Sequence, residues 1–235
     1  SGTWYGGRAS IETPGLLLPL ETHDAVLTLL AAVCAVLLIR ADRRGPPRAV
    51  YFFKPLTLLF IAAIAVGAGP AAPPFYRGAI LIGLAFSLAG DSFLMLPSDR
   101  FAAGLASFLV AHLAYIAAFA SQSGLALTPW APLPFLVGGV ALFGILSPSA
   151  GRLKGPVLAY ILAIGAMAWQ ALEWWLATGG PAALLALAGA VWFAASDSLL
   201  AIHRFRRPLP AAQGLVLGSY FIAQWLIALS VERLG

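Results

Sequence analysis

Charge is what this sequence has least of. Lys, Arg, Asp and Glu make up 10% of its 235 residues and hydrophobic residues 61%, whereas a soluble domain carries roughly 25% charged and about half apolar side chains. So few charges cannot cover a water-facing surface, and the mean hydropathy of +0.91 is that of a polytopic membrane protein. Cysteine is reduced to Cys34, which excludes a disulfide within the chain. The three histidines form no HExxH and no cluster, and CxxC is absent. Metal ligation therefore has no support, and neither a metal nor an organic cofactor is expected. A GxSxG elbow and a glycine-rich phosphate loop with its lysine are also missing.

Hydrophobic length is what the chain has in plenty. A membrane-spanning helix needs roughly 17 to 25 mostly apolar residues. With Pro, Gly and Arg clusters as breaks, eight spans are predicted at 24–39, 50–68, 77–96, 101–121, 130–147, 155–177, 181–202 and 209–231. The expected fold is all-α, a polytopic bundle of about eight transmembrane helices. Residues 1–23 are expected to form an N-terminal extramembrane segment and 24–235 a single transmembrane helical domain. The opening "SGTWYGGRAS" lacks the basic start and apolar core of a signal peptide.

Net charge is +5, but its placement points away from nucleic acid. Arg40, Arg43, Arg44 and Arg48 crowd the loop after the first span, and Arg204, Arg206 and Arg207 the loop after the seventh. Arg100 follows the third span, and Arg152 with Lys154 the fifth; the loops after spans four and six have no Lys or Arg. By the positive-inside rule the basic loops are cytoplasmic and both termini lie outside, in a membrane expected to be a bacterial inner membrane.

The two halves also resemble each other. "FFKPLTLLFIAAIA" from 52 is similar to "RLKGPVLAYILAIGA" from 152, and "GDSFL" from 90 to "SDSLL" from 196. An even number of spans separates the copies, so two four-helix repeats in parallel orientation are expected.

Two acids interrupt the apolar runs, Asp91 and Asp197, both late in odd-numbered spans and hence at similar depth. An ionised aspartate at the bilayer centre costs about 2.5 to 3.5 kcal/mol on insertion scales, so a pair points to function more than to packing. Ser87 lies one turn before Asp91 on the same face, and Ser196 and Ser198 flank Asp197; these hydroxyls are candidates to bond a carboxyl group or align a water. His112 and Tyr115 share a face of span four, and Tyr220 and Gln224 a face of span eight. All four are candidates to hold a water or a substrate headgroup, or to bond between helices. Lys54 is read either as a snorkelling side chain or as a lipid-phosphate ligand. Lys154 is read as topological and Glu173, beside Trp174 and Trp175, as structural. His23 and His203 complete no triad.

Two carboxyls close together in an apolar interior cannot both ionise, so such a pair holds one protonated acid beside one ionised base. That arrangement delivers a proton and activates a water, and it suits acid-sensitive ethers and acetals that cleave through an oxocarbenium ion. A substrate reaching it from the bilayer is a lipid.

The segments "GLAFSLAGDSFLML", "RFAAGLASFLVAHLAYIAAF", "GAVWFAASDSLLAIHRF" and "SYFIAQWLIALS" together resemble the YhhN-like family of membrane proteins, which includes the lysoplasmalogenases. The likeness covers spans two to eight, with Lys54-Pro55 in the place of the family's early "KP" element. It implies hydrolysis of the vinyl ether of a lysoplasmalogen to a fatty aldehyde and glycerophospho-ethanolamine or -choline. Asp91 or Asp197 would protonate the vinyl β-carbon and the other would direct water. His112, Tyr115, Tyr220 and Gln224 would hold water or headgroup, and Lys54 would face the phosphate. The partners expected are the lysophospholipid and membrane lipid.

Three other classes use similar features. A proton-coupled transporter also needs paired intramembrane acids and a parallel repeat, though no span is clearly broken mid-membrane. An intramembrane aspartyl protease has a glycine two residues before its "GD", where this chain has Leu88. The third is a structural or lipid-binding protein with no turnover.

Overall fold

The computed structural model describes residues 21–98, 100–124, 127–206 and 212–234. Arg207, residues 1–20 of the expected N-terminal segment and the predicted start of the last span at 209 lie outside them. Among the described residues the chain forms eight α-helices: α1 (Thr22–Arg44), α2 (Pro47–Gly67), α3 (Pro74–Met95), α4 (Phe101–Ser123), α5 (Leu133–Leu146), α6 (Lys154–Thr178), α7 (Pro181–Phe205) and α8 (Ala212–Glu232). Prolines in the first turns of α2, α3, α5 and α7 start those helices without losing a hydrogen bond. Gly179 ends α6 in the left-handed conformation, its N–H on the Trp175 carbonyl.

Seven of the eight are long and apolar enough to cross a membrane. The exception is α5, whose 14 residues rise about 21 Å, short of the roughly 30 Å hydrocarbon core. Turns at its two ends make up the difference. Thr128 before it hydrogen-bonds Glu173 near the C-terminal end of α6, and Leu146 at its end packs on Val157 near the start of α6. The connection therefore runs the length of α6 even though its helical part does not.

Helix pairing follows a two-fold pattern. In one half α1 packs on α2, α2 on α3 and α3 on α4; in the other α5 packs on α6, α6 on α7 and α7 on α8. The halves join through α4 with α6 and α2 with α8, which exchange places when helix numbers advance by four. Close approach is set by glycine. At Gly83 a side chain would overlap the Tyr115 ring, and at Gly189 a Cβ would meet the Ala223 carbonyl oxygen at 2.9 Å.

The two described ends lie together. Trp225 of α8 donates to Thr28 Oγ1 of α1 at 3.0 Å, and Tyr76 shares a 2.6 Å hydrogen bond with Ser230. Arg43 in the last turn of α1 and the turns holding Arg100, Arg152 and Arg206 lie at the opposite end, where Arg206 donates to Ser149 Oγ at 3.4 Å.

Candidate active site

A cavity of about 440 Å³ opens among α1, α2, α3, α7 and α8, and both Asp91 and Asp197 line it. Each acid is delivered by the helix its sequence predicts, and each is at least nine-tenths buried, with exposures of 2% and 8%. Their surroundings differ. Lys54 of α2 places its ammonium 2.9 Å from Asp91 Oδ1, supplying the counter-charge a carboxylate needs in a low-dielectric interior. Asp91 Oδ2 has no hydrogen-bond partner among the described residues, and the Tyr220 hydroxyl faces the same carboxyl from α8.

Asp197 has a different set of neighbours. Tyr160 of α6 donates its hydroxyl hydrogen to Asp197 Oδ2. His112 of α4 is fully buried, with Nδ1 bonded to the Phe108 carbonyl. A carbonyl only accepts, so Nδ1 carries the hydrogen. In the uncharged ring this leaves Nε2, 3.9 Å from Asp197 Oδ2, as the acceptor. Among the described residues no Lys or Arg pairs with Asp197.

Behind Asp91 lies a cluster of buried polar groups. Tyr115 donates to Gln224 Oε1 at 2.7 Å, Ser87 lies beside the Tyr115 hydroxyl, and Gln224 lies beside Tyr220. The cluster gathers side chains of α3, α4 and α8 near the acid, with the Tyr115–Gln224 bond its one hydrogen bond among these residues.

Two sequence expectations take a different form here. Ser196 and Ser198 do not reach Asp197. Ser196 donates to the Val216 carbonyl of α8 at 3.0 Å, and Ser198 to the Ala194 carbonyl one turn back. A residue adjacent to Asp197 in a helix points about 100° away from it, so flanking positions are poor places for a supporting hydroxyl. Lys54 turns inward to Asp91 rather than snorkelling to the interface. Glu173, read as structural, accepts from Thr128 N and Oγ1 and from Trp169 Nε1 at 2.7 to 2.8 Å, a clasp that fixes the chain before α5 to α6.

With this geometry in place, comparison with known proteins is informative. The YhhN family matches residues 49–231, from the start of α2 to the end of α8. The chain belongs to the YhhN family. It is 33% identical over 202 residues to the uncharacterized membrane protein YhhN of Escherichia coli O157:H7, covering 85% of this chain and 96% of that protein. It is 34% identical over 177 residues to the human lysoplasmalogenase TMEM86A, covering 73% and 72%. To the mouse lysoplasmalogenase TMEM86B it is 32% identical over 214 residues, covering 89% and 86%. No solved structure matches the chain. Every residue of the site described above lies inside the segment matched to the YhhN family.

One member of this YhhN site went unread in the sequence. Tyr160 follows Lys54 by 106 residues, the separation of Asp197 from Asp91, so the two acid–partner pairs occupy equivalent positions on α2–α3 and α6–α7. Aligning the repeat on the two acids throughout, instead of matching Lys54 with Lys154, leads directly to Tyr160.

Proposed function

We propose that this protein is a lysoplasmalogenase, hydrolysing the vinyl ether of an alkenyl-glycerophospholipid to a fatty aldehyde and glycerophospho-ethanolamine or -choline. The observation that carries this reading is the inequality of two acids lining one cavity, one paired with an ammonium and one held by a neutral phenol. The relatives named lysoplasmalogenases supply the reaction that such a pair suits, and a proton-coupled transporter is not favoured by them.

The roles follow from the neighbours. Asp197, lacking a Lys or Arg partner, is the proton donor; Tyr160 holds its carboxyl, with His112 beside it. Its proton goes to the vinyl β-carbon, and the double-bond electrons form the new C–H bond, leaving an oxocarbenium ion at the α-carbon. Asp91, ionised against Lys54, takes a proton from water through its unpartnered Oδ2 as the water oxygen bonds the α-carbon. The hemiacetal then collapses. Its O–H proton returns to Asp197, the C–O bond to glycerol breaks, and Asp91 passes its proton to the departing oxygen. Both carboxyls finish as they began, and the Asp91 carboxylate stabilises the cation between the steps. Asp42, Tyr51 and Gln213 at the cavity mouth are the polar contacts for the headgroup.

The test is aldehyde release from lysoplasmalogen by purified protein. Asp91→Asn and Asp197→Asn should each lower it by about 10²- to 10⁴-fold while retaining the wild-type gel-filtration profile. Full activity in either variant removes that residue from the mechanism.

A further inference from the structure

Asp197 faces two spaces. A second cavity of about 250 Å³ lies among α4, α5, α6 and α7, and Asp197, Leu94 and Phe108 line both it and the polar cavity. Apart from Asp197, Ser198 and Tyr160, the lining of this second cavity is apolar or glycine. The hydroxyls of Ser198 and Tyr160 are already bonded to the Ala194 carbonyl and to Asp197. Its polar groups are thus gathered where the cavities meet, with apolar lining on either side of Asp197, toward Phe205 along α7 and toward Ala168 along α6. Along α6 the lining runs from Val157 to Ala168, about 16 Å at the helical rise.

Its outer wall is α5, the shortest helix and the least buried, with Leu146 its one buried residue. Gly138 of α5 lines the second cavity, and nothing lies within 4 Å of where its Cβ would stand. On the far side of the α5–α6 seam a third, apolar cavity of about 660 Å³ shares Phe135, Gly139, Ile161 and Gly165 with the second. The groove is therefore separated from the bilayer-facing surface by a seam containing two glycines.

We propose that the cavity walled by α5 is the binding groove for the single hydrocarbon chain of the substrate, and that its depth beyond Asp197 selects chain length. A lysophospholipid has one long apolar chain and one charged headgroup joined at the ether bond. An apolar groove and a polar cavity that meet at an acid reproduce that division, with the acid at the bond. The proposal rests on the lysoplasmalogenase reading for the chemistry at the junction, and on the two cavities alone for the chain.

Two measurements test it. The first is aldehyde release from lysoplasmalogens of graded chain length by the wild type, Gly138→Ala and Gly138→Leu. A leucine side chain occupies the groove, and each methylene it displaces is worth about fourfold in binding. Gly138→Leu should therefore lose long-chain turnover by about tenfold or more relative to the shortest substrate, with Gly138→Ala between. Retained turnover of the shortest substrate shows that the variant folds.

The second uses a saturated alkyl-ether lysophospholipid, which cannot be cleaved, carrying a photoreactive group at the chain end. It should label α5 and α6 in the wild type and lose those labels in Gly138→Leu. An unchanged chain-length profile, or labels confined to other helices, overturns the groove. Labels in the groove with no aldehyde from any chain length keep the groove and overturn the hydrolase.

Discussion

At the scale of single residues, the site is a contrast between two equivalent positions. Lys54 on α2 and Tyr160 on α6 hold the equivalent aspartates of α3 and α7, and one is a cation where the other is neutral. Equivalent positions of the two halves thereby carry unlike partners, as the proposed acid–base pair requires. The acids themselves were legible in the sequence because charge inside an apolar run is conspicuous. Tyr160 was not, because an aromatic in a transmembrane helix is commonplace and its hydroxyl gains meaning only from Asp197 across the helix interface. The Lys54–Asp91 pair is nine-tenths buried, so removing one partner leaves an uncompensated charge. Lys54→Met should lower stability by about 3–5 kcal/mol, read as a fall in thermal unfolding temperature in detergent. Adding Asp91→Asn should restore most of that loss without restoring activity. If the double variant is no more stable than Lys54→Met, the ammonium is not the counter-charge of Asp91.

At the scale of helices, the packing depends on absent side chains. Gly83 admits the Tyr115 ring between α3 and α4, and Gly189, 106 residues later, lets α7 approach the backbone of α8. Seven spans were legible from hydrophobic length, and their ends less so. The predicted first span stopped at 39, where arginines begin, yet α1 continues to Arg44 because backbone hydrogen bonding tolerates charges that can reach the interface. The fifth span was predicted at 130–147 but is helical over Leu133–Leu146, with Pro132 at its N-cap. Composition counts apolar residues in turns as readily as those in helices. Gly189→Ala provides the test of close packing. Its methyl would meet Ala223 O at 2.9 Å and Ile227 N at 3.1 Å, backbone atoms of α8 that cannot rotate aside. The Ser196–Val216 bond on the same interface would be strained with them. The variant should be less stable by about 1–3 kcal/mol in thermal unfolding, with aldehyde release reduced in parallel. Wild-type stability would mean that α7 and α8 are free to separate by that margin.

At the scale of the whole molecule, the polar cavity and the distribution of charge point the same way. The cavity is lined at its mouth by Ala41, Asp42 and Gly45, at the end of the bundle where the arginine-bearing loops gather. The described ends of α1 and α8 meet at the other. The positive-inside rule would then put the proposed headgroup mouth in the cytoplasm and the two ends outside, with the proposed chain groove extending from Asp197 toward the bilayer interior. Topology can be read chemically because Cys34 is the only cysteine and is buried. In a Cys34→Ala background, a cysteine at exposed Thr178, the last residue of α6, should react with a membrane-impermeant maleimide in intact bacterial cells. A cysteine at exposed Ser149, between α5 and α6, should react only after permeabilisation. The reverse pattern would turn the molecule over and put the headgroup mouth outside. Labelling of both in intact cells would mean that α6, which joins the two positions, does not carry the chain across. Because α5 is the one helix too short to span on its own, Ser149 is also the position at which its path through the membrane is decided.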